Sequence, residues 1–371
     1  MKRDLAGRDV ASLLSDPSPE SRAVVAAKVA ANLISPGLTD SARRIAEDIV
    51  RLLAKDVAVI VRAAVSHSLR HATRMPRDLA HQLADDVDAV ALAFIVDSPV
   101  LDDELLLLVL EHASPAKQDA IARRRSVSGQ VSGALVKTGS ELAVAALMRN
   151  HGARIAEASL QEAVDRFSSS DPVHTGMIGR EALPVAVAVR LVHLVSERLR
   201  WILVSHHQLP PDVAAGIVLN GRERAIIQIG REAEQKELVE TLAAMQGRQE
   251  LTPSLLVRAV CMGDTEFFEC ALAVMARVKV RAAGVLIHDR GELGMKSLWE
   301  KAGMPPRLLA AIRAAVQVAD STELDGRERD AERYRVRVMT RILTQCDGFD
   351  PDDVDWLLDK LGDVLEPAAA A

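Results

Sequence analysis

IVRLLAKDVAVIVRAAVSHSLRHA, residues 49–72, is the stretch whose reading decides the fold. An apolar helix end breaks at Lys55-Asp56, and a second helix then carries Val61, Ala64, Val65 and Leu69 at three- and four-residue spacing, which gathers them on one face. A two-helix hairpin cannot bury such a stripe by itself, so it calls for a similar unit on either side. The neighbouring sequence supplies candidates. LLSDPSPESRAVVAAKVAANL at 13–33, LLAKDVAVIVRAAVSHSL at 52–69 and QLADDVDAVALAFIVDS at 82–98 each open on a Leu pair or Leu-Ala followed two or three residues later by Asp.

The expected fold class is therefore all-α: HEAT-like antiparallel helical hairpins forming a right-handed superhelix, followed by a more compact helical domain. Composition agrees. The 371 residues are 49% hydrophobic but only 2% aromatic, which provides a large aliphatic core suited to close helix packing more than to a β-sandwich or barrel. A formal net charge of -6 gives no general attraction to nucleic acid or anionic membrane, although a local basic face is compatible with it. Cys261, Cys270 and Cys346 have no framework spacing and read as buried or incidental thiols of a reducing compartment. The opening MKRDLAGRDVASLLSD is basic and then charged, with no apolar core behind it, so no secretory signal is expected. The apolar run LLLLVL between Glu104 and Glu111 is far short of a bilayer span. A cytoplasmic protein without membrane contact is the expectation.

Punctuation divides the chain. Asp16-Pro17-Ser18-Pro19-Glu20, Ser35-Pro36-Gly37-Leu38-Thr39 and Pro76 read as helix starts. Further helices are predicted at 41–54, 116–124, 128–137, 140–149 and 155–167, with Asn150 and Gly152 in a turn where a positive φ or side-chain capping is useful. SSSDPVHTGMIGR at 168–180 reads as a linker between a repeat domain at 1–167 and a second all-helical domain at 181–320. There, helix 183–204 sets Leu191, Val195, Leu199 and Ile202 near one face, 222–246 is a polar helix pair or one long helix, and Thr252-Pro253 starts helix 253–262. Phe267 and Phe268 are expected to plug the packing between that helix and helix 265–278.

A family resemblance rests on segments that keep their order. LLSDPSPESR, VRAAVSHSL, MPRDLAHQLADD, SPVLDDELL, AIARRRSVS and ALMRNHGARIAEASL resemble the first half of an uncharacterised bacterial family frequent in alphaproteobacteria, the domain of unknown function 2336. ALPVAVAVRLVHLVSERLRWILVSHHQLP, LTPSLLVRAVCMGDTEFFECALAVMARV and AGMPPRLLAAI resemble its second half, so the likeness spans about 9 to 318. It implies an all-helical cytoplasmic protein with HEAT-like repeats, and it brings no reaction, cofactor or catalytic residue.

The residues offer no catalytic site, cofactor site or metal site of their own. There is no G-x-G-x-x-G after a strand, no G-x-x-x-x-G-K-[ST], no H-E-x-x-H and no paired C-x-x-C. His67 and His71 share a helix face without a third ligand nearby, His206 and His207 are adjacent and diverge, and Asp85, Asp86 and Asp88 are explained by helix-start electrostatics. The candidate residues are instead cationic or aromatic. Arg329, Arg333, Arg337 and Arg341 recur every four residues along a helix at 326–346 whose apolar side is Val336, Met339, Ile342 and Leu343. The following acids, from Asp347 to Asp355 ahead of Trp356, are expected to fold back on the Arg row as an acidic helical tail within 321–371, unless a protein partner or second subunit takes their place. Arg123, Arg124 and Arg125 read as a helix end or as a site for an acidic partner. Arg62 reads as the partner of an Asp in the preceding turn before it reads as a ligand contact, and Trp201 as core before stacking surface.

Three function classes follow. A noncatalytic scaffold or regulatory adaptor binding a protein partner is preferred, with a homodimer left open. A nucleic-acid protein, including a HEAT-like DNA-repair enzyme, needs a basic groove around an aromatic and is disfavoured by the acidic total. A small-ligand sensor needs a pocket between the helical domains.

Overall fold

The computed structural model describes residues 16–34, 38–289, 291–321 and 330–345. Of these, 75% are helical, above the two-thirds that the periodicity predicts, and the one pairing of extended backbone among them is a parallel bridge between Val127 and Ala153. The chain divides into two compact units, Met1–Leu183 and Pro184–Ala371.

The first unit holds α1 (Pro19–Leu33), α2 (Asp40–Leu53), α3 (Val59–Leu69), α4 (Arg77–Asp85), α5 (Asp88–Asp97), α6 (Asp103–Glu111), α7 (Pro115–Ala122), α8 (Gly129–Thr138), α9 (Glu141–Arg149), α10 (Glu157–Arg166) and α11 (Asp171–Ile178). Short polar residues start most of them. Ser18, Thr39, Asp102, Ser114, Ser128, Ser140 and Ser170 each accept a hydrogen bond from the backbone N–H three residues on, which satisfies a donor the helix leaves unpaired. The odd-numbered helices pack each on the next, α1 on α3 through to α9 on α11, while α4, α6, α8 and α10 form a second row. Of the α3 stripe that decided the fold, Val61, Val65 and Leu69 are fully buried between α1 and α5, and Ala64 is half-buried.

Side chains from one hairpin also reach the next. Arg22 pairs with Asp56 at 2.9 Å, Arg51 with Asp78 at 2.9 Å, Arg62 with Asp86 at 2.6 Å and Arg77 with Glu104 at 2.8 Å. Further along, Asn150 donates to the Ala122 and Arg124 carbonyls at 2.7 Å each, and Arg166 to the Val136 carbonyl at 2.7 Å. Each bond occupies a backbone or carboxylate oxygen near a helix end, where water would otherwise be needed.

One expectation changes here, and an open alternative, positive φ or side-chain capping at Asn150-Gly152, resolves to capping. Residues 168–180 are not an open connection: α11 lies within them, buries Val173, His174, Gly176 and Met177, and packs on α9. The Ser and Gly that read as linker are a cap and a contact, because a Cβ on Gly176 would stand 2.8 Å from the Met148 Cβ. Arg180 then ties the segment down by donating to the carbonyls of Met148, Asn150 and Ala153. Gly152, for its part, does not adopt a positive φ. Asn150 Oδ1 accepts from the Gly152 N–H at 2.9 Å, and a Cβ at Gly152 would meet the Arg125 carbonyl oxygen at 2.0 Å, so glycine is required by close approach.

The second unit holds α12 (Val185–Ser205), α13 (Pro211–Arg231), α14 (Gln235–Gly247), α15 (Pro253–Cys261), α16 (Thr265–Ala276), α17 (Val280–Ile287), α18 (Glu292–Lys301), a short 3-10 turn at Pro306–Leu308, α19 (Leu309–Ser321) and α20 (Asp330–Gln345). The expected helix at 222–246 is two, α13 and α14. Phe267 and Phe268 sit fully buried, with Phe267 against Gly230, where a Cβ would come within 2.7 Å of its ring. Trp299 is also buried and donates to the Pro305 carbonyl at 2.9 Å. The last described helix is not set apart as a tail: Tyr334, Val338 and Ile342 of α20 join this core, and the Tyr334 hydroxyl donates to the Val260 carbonyl at 3.0 Å. Val336, expected on the apolar side, is exposed, because the burying stripe runs every four residues from Tyr334.

Candidate interaction surfaces

Several residues singled out by the sequence are spent on the fold. Arg62 forks onto both oxygens of Asp86, at 2.6 and 2.8 Å, and its Nη1 donates to the Asp56 carbonyl at 2.8 Å. The preceding turn therefore supplies a carbonyl, while the carboxylate comes from the next hairpin. Arg124 donates to the carbonyls of Ile95, Ser98 and Leu101, and burial pushes its pKa down, offset in part by Asp103. Arg123 is exposed and pairs with Asp119 four residues back, while Arg125 is exposed beside it. The run thus splits, and its middle member is internal.

Potential catalytic groups are likewise occupied. Arg70 contacts the rings of both His67 and His71 and pairs with Asp97, so a cation stands where a shared metal would have to approach. Asp86 holds Arg62, Asp88 accepts from the Ser114 hydroxyl at 2.7 Å, and the Asp85 carbonyl accepts from Lys117 at 2.9 Å. Arg329 and the acids from Asp347 to Asp355 lie outside the described residues. Arg333, Arg337 and Arg341 are exposed on α20. Arg341 also borders a cavity of about 380 Å³ with His288, Met295, Arg313, Gln317 and Asp320. His288 bridges two carboxylates there, Nε2 to Glu269 at 2.9 Å and Nδ1 to Asp320 at 2.8 Å. Burial alone would lower the pKa of that imidazole, but these two bonds outweigh it and raise it above the ordinary value. The cavity lies within the second unit, whereas the sequence reading placed a ligand pocket between domains.

The sequence reading missed two apolar surfaces. On α2, Val50 is the one fully buried residue of fourteen. Ala46, Val50 and Leu53 turn inward, while Ile45, Ile49 and Leu52 repeat at i, i+4 and i+7 on the outside, and Leu52 is 73% exposed. Past the turn, Val57, 92% exposed, and Ile60 are exposed as well. The rim is charged, with Arg44, Lys55 and the Arg51–Asp48 pair. The signal was present in DSARRIAEDIVRLL: seven apolar positions in fourteen spread over an arc wider than one neighbouring helix covers.

The other surface is the far end of the α12–α13 hairpin. Trp201, expected in the core, is 62% exposed and meets His206 edge to face at 5.4 Å. Val195 and Leu199, expected to share a buried face with Leu191, are exposed; Leu191 alone of the three is buried. The core of the unit takes in Val189 and packs against Val185 and Val192 of α12, and His193 faces Glu250 at 3.7 Å, while Val195 and Leu199 lie beyond these contacts. The same unit holds a buried ion pair, Arg258 to Glu223 at 2.7 Å, with Asn220 accepting from the same guanidinium at 2.6 Å. Sequence spacing gives no sign of it, since 35 residues separate the charges.

The chain matches, over residues 90–350, the model of a family described as an uncharacterised protein conserved in bacteria, DUF2336. The match begins later than the expected 9 and ends beyond 318, so α20 falls inside it and the first hairpins do not. No curated protein and no solved structure matches the chain.

Proposed function

This chain belongs to the DUF2336 family, and from that premise we propose that it is a noncatalytic scaffold or regulatory adaptor, cytoplasmic, whose first unit winds its hairpins as a right-handed superhelix and docks a protein partner. The observation that carries the proposal is the Ile45, Ile49 and Leu52 stripe. The solvent side of a packed helix is ordinarily polar. Here three large aliphatic side chains at seam spacing face out instead, the geometry that receives an amphipathic helix. Arg44 and Lys55 at the rim favour acidic residues beside the apolar stripe of that helix. The noncatalytic part is supported by the fate of several groups a reaction would use: His67, His71, Asp86 and Asp88 hold structural partners. No helix among the described residues is long and apolar enough to cross a membrane.

A photo-crosslinking residue at Leu52 of the full chain in its native cell tests this reading. One recurrent polypeptide is expected from Leu52 and not from Leu142, which is 72% exposed on α9. That polypeptide, purified, should bind the wild-type protein and lose about tenfold or more in affinity for Ile49→Asp. Equal trapping from both positions, or undiminished affinity, would overturn it.

A small-ligand sensor is the second reading, favoured by the cavity beside His288. The nucleic-acid reading draws no support from Arg62 or Arg124, which are both consumed internally.

A further inference from the structure

We propose that residues 5–14 of this chain seat on the Ile45, Ile49 and Leu52 stripe in competition with the partner helix, so that docking requires their release. This rests on the stripe being the docking surface and adds how access to it is governed. Helix rotation fixes which way the stripe faces. Arg51 reaches α4 by pairing with Asp78 at 2.9 Å, Val50 is buried and Ile49 is exposed, each about 100° round α2 from the one before. Ile49 therefore stands on the side of α2 away from α4, with the core between them. The end of α2 is tied to the same helix again, since Gln82 donates to the Ala54 carbonyl at 2.7 Å. With α4, α6, α8 and α10 following in the second row, the stripe faces the place in that row that precedes α2.

The chain itself supplies an occupant for that place. In the structure the leucine-pair motif closes a second-row helix: Leu52 and Leu53 end α2, and Leu83 and Ala84 lie in the last turn of α4. Its first instance, Leu13-Leu14 ahead of Asp16, stands in the same position ahead of α1. Ala6, Val10 and Leu13 repeat at i, i+4 and i+7, the spacing of Ile45, Ile49 and Leu52, and Asp4, Arg8 and Ser12 fall on the opposite side at helical spacing. Length fits too, because α4 and α6 have 9 residues each and α8 and α10 have 10. The described chain starts at Asp16, and it enters beside the stripe. Arg22 donates to the Pro17 carbonyl at 2.6 Å and pairs with Asp56, just past the end of α2, at 2.9 Å. From Pro17 back to Leu14 the chain reaches at most about 10 Å, which lets 5–14 run alongside α2 with Leu13 at the Leu52 end. So short a tether sets an effective concentration of about a millimolar, which a partner in trans has to outcompete.

Disulfide trapping in the full chain tests the proposal, with Val10→Cys and Ile49→Cys in a Cys346→Ser background; Cys261 and Cys270 are buried. Under mild oxidation an intramolecular bond should form about tenfold faster, or more, than with Val10→Cys and Leu142→Cys, the latter at an equally open position on α9. A second measurement uses no cysteine. Val10→Asp with Leu13→Asp should speed amide exchange in 42–53 about tenfold and leave 143–149 unchanged. In the native cell, the recurrent polypeptide trapped by a photo-crosslinking residue at Leu52 should rise about threefold or more in the same variant. A bond no faster than the control, a bond formed only between chains, exchange in 42–53 unmoved by the double change, or recurrent trapping unmoved by it would each overturn the proposal. The docking reading fails separately: it falls if Leu52 traps no recurrent polypeptide in either form while the bond and the exchange behave as expected, and the seat of 5–14 on the stripe then stands.

Discussion

At the scale of the residue, the Arg258–Glu223 pair is the sharpest case of a buried charge held by its partner. Both side chains are nearly inaccessible, at 3% and 2% exposure, and Glu223 keeps one oxygen without a partner. Removing one member of such a pair strands the other charge and costs about 3–5 kcal/mol, whereas replacing both with apolar groups can be nearly neutral. Arg258→Met should therefore destabilise by about that amount in urea unfolding, and adding Glu223→Leu should recover most of the loss. If the two changes simply add, the pair is not coupled. Cys261 and Cys270 illustrate the opposite outcome, where the sequence reading of buried thiols holds, while Cys346 lies outside the described residues. Cys261 is buried with its pKa pushed up to about 12 by desolvation, and Cys270 to about 11, which suits a packing role.

At the scale of the element, α11 is the helix that the sequence reading left out, and its seat on α9 depends on one missing side chain. Gly176→Ala removes a helix-interior glycine, which alone would stabilise by about 1 kcal/mol. Yet the new Cβ would fall 2.8 Å from the Met148 Cβ and 3.2 Å from the Ala145 carbonyl oxygen, neither of which can swing aside. Overpacking of that kind costs about 1–3 kcal/mol, so the contact wins and the melting temperature should fall. Protease sensitivity should increase at 168–180 first. A rise in melting temperature would mean that α11 is not held against α9. The α12–α13 hairpin differs in kind, because Val195 and Leu199 in its far half lie exposed rather than against a described helix of the unit.

At the scale of the whole molecule, the α1–α5 stack and the helices around His288 should answer pH in opposite directions, while His193, elsewhere in the second unit and lowered by burial, works against His288. In the first, hydrogen bonds from Arg22 and Arg51 hold the carboxyls of Asp56 and Asp78 below the ordinary 3.8. For Asp86, burial is the largest effect and pushes upward, but Arg62, the Val87 N–H and the Lys117 charge together outweigh it and the carboxyl also ends below 3.8. Groups depressed on folding stabilise above their unfolded pKa and lose that contribution as pH falls through the folded value. In the second unit the raised His288 stabilises fully below 6.5 and loses its contribution as pH rises through the folded value. Protection factors from hydrogen exchange should thus fall in α1–α5 below about pH 4. They should fall in α16, α17 and α19 as pH climbs above 6.5. Parallel loss in both units at one pH would refute this assignment.

The sequence by itself determined that the chain is helical, where α1, α9 and α15 begin, and that Val61, Val65 and Leu69 form a buried seam, because those properties follow from residues within one or two turns of each other. Periodicity, capping serines and prolines are local signals, and they were legible. Only the tertiary structure decided which side of a broadly apolar helix is covered. Ile49 and Val50 on α2, or Leu191 and Leu199 on α12, are equivalent in sequence and differ only in whether another helix reaches them. It also decided where each guanidinium goes, since Arg62 and Arg22 find their carboxylates 24 and 34 residues away. A long side chain takes the oxygen that packing brings near, and packing is set by the stack as a whole.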